Sequence, residues 1–481
     1  MKPLTKLVLP VLVAGALVGC NGSDNDTAVG DIRVLHTSPD APPVNVLLDG
    51  TPAIQSLDYA ESSGFRSAPT GTYDVAVEAI IPGGNAEVLS VPGLDVTANS
   101  RTTVLAVGTV AVDDGGDIPL EVLAVPDSAA DPAVDEVALT IVHASPAAGA
   151  LGNVDIYLTA PGDALNAATP VTLGYKDIAD AGAVPADVYR VRITPEGVTN
   201  TVLFDSGQVD FASFAGQQLV VAAIDEADQS EPVAPVKLLV ANDDSGLNIR
   251  DTATEAGVRA VHLSPDAANA AVANGPVEVF ATIEGGAAVE LIDSFAYLEN
   301  QPTLDLYVGV EPGAYVLNVA PDTGTIDDSI FTSGTVTLEA GMDYSVFAVG
   351  YALSSPAFTL VPTMDDNRAI ATQASLKVVH GAAAVGPVDV YVTAAGDFTA
   401  QDVLDGNAGA PLLSNFAFAE VSDYVAVAEG SYDVRVVSGG VVAINVEGAS
   451  LSNGDVITAI AYGPDEVDND PAAAGLLLLS N

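Results

Sequence analysis

At 481 residues, with 64 acidic against 14 basic side chains and a net charge of −50, the chain is too acidic for its folded part to favour nucleic acid or an anionic membrane surface. Hydrophobic residues make up 49% and mean hydropathy is positive, which excludes a disordered acidic tail and leaves folded domains with acidic surfaces, a charge that salt screens. A single cysteine, Cys20, excludes an intramolecular disulfide, and the length demands several domains of ordinary size rather than one core.

The first element in chain order is an address. Lys2 and Lys6 form a basic start, the apolar run from Leu7 to Ala16 is too short to span a bilayer, and it closes in Leu17-Val18-Gly19-Cys20. This resembles the bacterial lipoprotein signal. The resemblance implies a signal peptide over residues 1–19, cleavage before Cys20, and acyl chains on Cys20 that hold the protein to a membrane. By the same resemblance, Asn21 in place of an aspartate points to the outer membrane and an envelope location. Residues 20–30 are polar and Gly/Asp-rich and read as a tether. An ordinary secretory signal with a chance cysteine is the rival reading.

Behind the tether a unit recurs four times. Its first strand ends in histidine: Ile32–His36, Thr140–His143, Arg259–His262 and Lys377–His380 hold all 4 histidines of the chain, spaced 107, 119 and 118 residues apart. A period of that size is a whole domain. The expected domains are 31–131, 137–245, 256–366 and 374–481, joined by short acidic Ala/Pro-rich linkers that make the array semi-rigid. After the histidine comes a turn cluster, Ser-Pro-Asp in its fullest form. An alternating strand follows: Val44–Leu47, Val154–Tyr157, Val277–Phe280 and Val388–Tyr391. Next are an aromatic (Tyr59, Tyr175, Tyr297, Phe418) and a Gly-x-Tyr strand carrying Tyr73, Tyr189, Tyr315 and Tyr432, with Asp187 replacing the glycine in the second copy. That tyrosine is expected to send its hydroxyl back to the preceding loop, with glycine supplying a positive φ. Two or three further strands close each unit, and the loop Asp163–Ala168 has room for one helical turn. The fold class is therefore all-β: four tandem antiparallel Ig-like β-sandwiches.

The His-x-Ser-Pro-Asp start, the Val-Asp-Val-Tyr strand and the Gly-x-Tyr-x-Val strand resemble the bacterial domain-of-unknown-function family 4397. The resemblance covers nearly everything after the tether, and Gly381-Ala382 departs from it in the fourth copy. It implies a β-sandwich and an envelope location, and brings no established activity.

Candidate chemistry is sparse. His36, His143, His262 and His380 fall on the apolar side of their strands, with Arg33, Thr140, Arg259 and Lys377 on the other, so they read as internal struts, with metal ligation or general-base work as the alternative. The acidic loops Asp113–Asp117, Asp225–Asp228 and Asp465–Asp470 are solvated turns or, alternatively, calcium sites without EF-hand spacing. No nucleophile elbow or phosphate loop is present, and without tryptophan a sugar-stacking platform is disfavoured. The expectation is a non-enzymatic, membrane-anchored envelope lipoprotein, with no catalytic residue and no cofactor, presenting its array to an envelope protein or glycan for adhesion, scaffolding or ligand contact. A calcium-dependent or glycan-binding module is the alternative, and a hydrolase the remote one.

Overall fold

The computed structural model of the protein describes residues 28–111, 119–126, 131–230, 232–267, 275–302, 307–463 and 474–480, and within them eight sheets pair into four sandwiches. Domain one shows the plan. Its strands are β1 (Val29–His36), β2 (Val44–Leu48), β3 (Thr51–Leu57), β4 (Arg66–Pro69), β5 (Gly71–Ala79), β6 (Ala86–Val96), β7 (Arg101–Val107) and β8 (Glu121–Pro126). One sheet runs β4-β1-β7-β8 and the other β3-β2-β5-β6. Pairing is antiparallel except that β1 lies parallel to β7, with Leu35 opposite Leu105. A parallel pair cannot be closed by a hairpin, and here the rest of the domain is the crossover. The other three histidine strands, Glu136–His143, Ala256–Leu263 and Ala374–His380, make the same parallel pairing. The sandwich expected from the sequence stands, with one parallel pair in each copy.

The corner tyrosine behaves as its spacing predicts. The hydroxyls of Tyr73, Tyr189, Tyr315 and Tyr432 donate to the carbonyls of Pro69, Pro185, Glu311 and Ala428 at 2.6–3.0 Å. The glycine two residues earlier works differently from expectation. Gly71 and Gly313 are not in the left-handed region, only Gly430 has a positive φ (158°), and a Cβ at Gly71 would make ordinary contact with the Tyr73 ring at 3.6 Å, so a side chain fits there and Asp187 is tolerated in the second copy. The loop near Asp163 holds a 3₁₀ turn at Leu165–Ala167. An unforeseen helix at Ala400–Leu404 is started by a capping box between Thr399 and Asp402.

The second face of each histidine sheet is where the structure exceeds the sequence reading. Strand alternation puts Ile32 and Val34 in the core of domain one and Arg33 and Leu35 on the outside, yet that outside is buried too. Leu35, Leu105, Val107 and Val125 pack against Val142, Val220, Ile224 and Leu239 of domain two. Domains three and four repeat the arrangement, with Val261, Leu263, Phe347 and Val349 against Val379, Ile460 and Leu479. The array is thus two back-to-back pairs. Charges on these faces are buried with partners. Arg33 donates to Thr103 and to the carbonyls of Ala241 and Asn242, at 2.7–3.1 Å. In the second pair Asp365, fully buried, accepts from Lys377 at 2.8 Å, Arg259 at 3.4 Å, Tyr307 at 2.8 Å and Ser345 at 2.5 Å.

Segments read as linkers also carry structure. Gly246–Ile249 adds an edge strand to the histidine sheet of domain two. Arg368, between domains three and four, reaches domain one, donating to the carbonyl of Ala41 at 2.7 Å and to Asp58 at 2.6 Å. Ser230 donates its N–H to Asp343 of domain three at 3.0 Å. These contacts join the two pairs and replace the semi-rigid string by a closed assembly.

Candidate functional site

The four histidines occupy one repeated device. Each lies at or one residue before the end of its strand on the inner face and is buried, with 0–1% of its surface exposed. The recurrent aromatic stands edge-on to the imidazole, with ring centroids 6.3 Å apart for His36–Tyr59, 6.1 Å for His143–Tyr175, 6.1 Å for His262–Tyr297 and 6.2 Å for His380–Phe418. The residue after the aromatic (Ala60, Lys176, Leu298 or Ala419) is left-handed in every copy, with φ of 60°, 70°, 67° and 66°. A left-handed non-glycine residue costs roughly 1–2 kcal/mol. Its N–H is what the geometry gains: it donates to the histidine carbonyl at 2.7–2.9 Å, while the histidine N–H donates to the next carbonyl along the turn, that of Glu61, Asp177, Glu299 or Glu420, at 3.0–3.1 Å.

Those four acids are what the sequence reading missed. Each side chain folds back to accept the backbone N–H of the residue three before it: Asp58 to Glu61, Gly174 to Asp177, Ala296 to Glu299 and Ala417 to Glu420, at 2.7–3.0 Å. An acid two residues after each recurrent aromatic was the available signal. Together, aromatic, left-handed residue and acid form a clasp that grips both backbone groups of the histidine.

The rings themselves are held neutral. Burial pushes the imidazoles of His36 and His262 down to about 4, opposed in part by the carbonyls of Pro42 and Gly275, and pushes His143 and His380 down as well. The Nε2 atoms of His36 and His380 sit 3.1 Å from the carbonyls of Pro42 and Gly386. Nδ1 of His380 accepts the N–H of Ala382 at 3.3 Å, which leaves the ring proton on Nε2. The rings of His36, His262 and His380 thus each meet the segment that follows them through a ring nitrogen, whereas both ring nitrogens of His143 are buried without a hydrogen-bond partner among the described residues. That segment is braced further where its aspartate is present: Asp40 accepts the N–H of Val110 at 2.8 Å and Asp266 that of Ala352 at 2.7 Å.

Of the acidic loops, Asp113–Asp117 and Asp465–Asp470 lie outside the described residues, as does Cys20. Asp225–Asp228 is not a solvated turn. Asp225 accepts from Ser145 and from the N–H of Ala147, and Glu226 and Asp228 are spent on Lys237 and Arg250. Burial pushes the Asp225 and Glu226 carboxyls up, against the pull of these partners. Among the described residues no group of three or more His, Cys, Asp or Glu side chains is placed to hold a metal ion. Where the four domains meet lies an open cavity of about 810 Å³, lined among others by Asp58, Tyr59, Asp228, Arg250, Arg368 and Lys377. Its three cations are each committed to a carboxylate, Arg368 to Asp58, Arg250 to Asp228 and Lys377 to Asp365.

A tandem β-sandwich protein whose repeat is marked by a histidine clasp, with copies pressed back to back in pairs, is the class this geometry defines. The family model described as a domain of unknown function (DUF4397) matches residues 30–157 and 268–391, more than half of the chain, and the protein belongs to that family. Each matched segment crosses from one member of a pair into the second strand of the other. A solved structure titled "The Bacillus anthracis TIE protein" is 12% identical over 91% of this chain and 69% of its own, at a TM-score of 0.15, a likeness that carries no argument. No curated protein matches the sequence.

Proposed function

We propose that the protein is a non-enzymatic component of the cell envelope, anchored in the outer membrane by acyl chains on Cys20, whose four-sandwich body is a rigid platform for adhesion, scaffolding or ligand contact. The observation that carries the reading is the fate of the imidazoles. All 4 histidines of the chain are buried, held neutral by that burial, and gripped through their backbone N–H and C=O by the same clasp, so the residues best suited to proton transfer are shut away from solvent. The family membership is compatible with this reading, and the lipoprotein-like signal ending at Cys20 supplies its membrane side.

The test is metabolic labelling with a palmitate analogue, followed by protease treatment of intact cells. Labelling that disappears in Cys20→Ala, together with digestion of the body from outside, is the expected result. An unlabelled protein recovered from the medium would remove the anchor. A labelled protein that resists protease until the outer membrane is opened would turn the platform towards the periplasm.

A further inference from the structure

The interior of domain one is not filled by its own side chains. Between its sheets lies an apolar cavity of about 440 Å³, inside the range of about 300–1,000 Å³ typical of small-molecule pockets. On the same measure the sandwich interiors of domains three and four hold about 10 Å³ and 120 Å³. Composition explains the difference. The cavity in domain one is lined by Val, Leu, Ile and Ala with Arg66 and Ser67, and no aromatic ring reaches it. In domain two, Phe204 and Phe211 fill the corresponding layer; in domains three and four, Phe295 and Phe416 enter it.

Burial along the strands tells the same story. On β7 and β8 the outward residues Leu105, Val107 and Val125 are sealed against domain two, whereas the inward Val104, Ala106 and Val122 are only half-buried and Ala124 is exposed. In domain two the inward Val221, Ala223, Leu238 and Val240 are all buried. A folded interior is normally packed to crystal density, so an apolar-lined void of this size is a departure that suits an apolar guest.

The rim supplies a head group's partner. Arg66 lines the cavity from the edge strand β4, is exposed, and donates to the carbonyl of Phe65 at 3.1 Å. Among the described residues it makes no ion pair, in a chain where acidic residues outnumber basic ones 64 to 14. Asp31, paired with Ser67 on the adjacent strand, accepts the Ser67 hydroxyl at 2.6 Å. We propose that domain one is a receptor for a single-chain anionic amphiphile, its alkyl chain lying between the sheets and its carboxylate or phosphate head on Arg66.

Residues 21–481, which keep every described strand, provide the test, with a dansyl-labelled fatty acid as probe below its micelle concentration. Saturable binding of one probe per chain is expected. Dodecanoate and dodecyl phosphate should displace it at least about ten-fold better than dodecanol or dodecylamine, and the stronger of the two anions identifies the head. Arg66→Gln should erase that preference and leave displacement by dodecanol unchanged. Val104→Phe, placing a ring in a cavity that no aromatic side chain reaches, should weaken the probe more than about ten-fold. If that variant does not fold, Ala124→Phe at the exposed rim takes its place. Absence of saturable binding, or full binding to a folded filled variant, overturns the proposal; an unchanged anion preference in Arg66→Gln overturns the head-group assignment.

Discussion

The two domain pairs solve one packing problem with different chemistry. Both press the outer faces of their histidine sheets together, and both must bury a cation that strand alternation places there. In the first pair Arg33 is met by a hydroxyl and two backbone carbonyls, the buried Lys237 over the Tyr59 ring has its own carboxylates in Glu226 and Asp228 of domain two, and Arg101–Asp243, the ion pair that crosses to domain one at 3.0 Å, is about a third exposed on each side. In the second pair Arg259 and Lys377 converge on Asp365, all three almost wholly inaccessible. What repeats is therefore the clasp and the apolar seam; the electrostatics of each seam is a separate solution. The same holds for shape. The residue after the histidine is Thr37, Ala144, Leu263 or Gly381, and a Cβ at Gly381 would stand 2.8 Å from Leu263 Cδ1. The loss of the Ser-Pro turn in the fourth copy begins at the one residue small enough to seat that leucine.

The sharpest way to break the comparison is to remove the carboxylate. Asp365→Ala leaves Arg259 and Lys377 buried without their partner and should cost about 3–5 kcal/mol, concentrated in domains three and four. Arg101→Ala, at the half-exposed pair of the other seam, should cost less than about 1 kcal/mol. Denaturant titration followed by hydrogen exchange in each half measures both. Equal losses would mean that the seams do not differ.

Acid comes next. A base whose pKa is lower in the fold than in the unfolded chain binds its proton on unfolding. The stability it contributes is complete above about 6.5 and is lost as pH falls towards 4. For His36 and His262, each taken from 6.5 to about 4 chiefly by burial, that loss is of the order of 3 kcal/mol. Arg368 lowers His36 further while Asp58 opposes it. The raised carboxyls of Asp225, Glu226, Asp343 and Asp366 have the opposite sign, since the fold retains their protons. Comparing stability at pH 7 and pH 5 in His36→Gln and His262→Gln isolates the imidazoles: each variant should flatten the acid loss of its own half. An unchanged slope would show that the rings titrate normally.

Glycine substitutions probe the seams at smaller scale. Gly64, at φ +62°, carries its missing Cβ 2.3 Å from the carbonyl oxygen of Asp244 across the first seam, so Gly64→Ala meets both a strained backbone and a rigid atom and should cost roughly 2–3 kcal/mol. Gly381→Ala meets the end of a leucine instead and should cost about 1 kcal/mol, most of it recovered in the Leu263→Ala background. Thermal melts of the single and double variants decide the matter; no recovery would place the strain on the Ala461 carbonyl, 3.2 Å away, rather than on Leu263.

Much of one repeat was readable because its signals are local. Alternation of Ile32, Val34 and His36 places the imidazole inside, and Gly-x-Tyr marks the corner whose hydroxyl returns four residues. The seams were not readable. Arg33, Arg259 and Lys377 alternate with apolar residues as they would on a solvated face, and the groups that bury them lie in the neighbouring domain or, for Asp365, at the end of the last strand of domain three, Thr359–Asp365. The clasp falls between. Its acids follow the aromatic by two residues in every copy, but one acid among 64 is inconspicuous until its carboxylate is seen on a backbone N–H.

The clasp also yields a small effect, and the one that ought not to differ between the pairs. Each acid satisfies one N–H of a turn whose left-handed residue is already strained, so replacing Glu61, Glu299 or Glu420 by Ala, or Asp177 likewise, should cost about 1 kcal/mol in its own domain. The damage should reach the histidine through the backbone, because the same turn accepts the N–H of His36, His143, His262 or His380. Amide exchange at those four histidines is therefore the readout, and it should quicken by a similar factor in all four variants. A factor confined to one pair would tie the turn to its seam, because Tyr59 and Phe418 reach across their seams as well as towards their rings. A common factor would make the clasp a property of the repeated unit, independent of the chemistry by which each pair is closed.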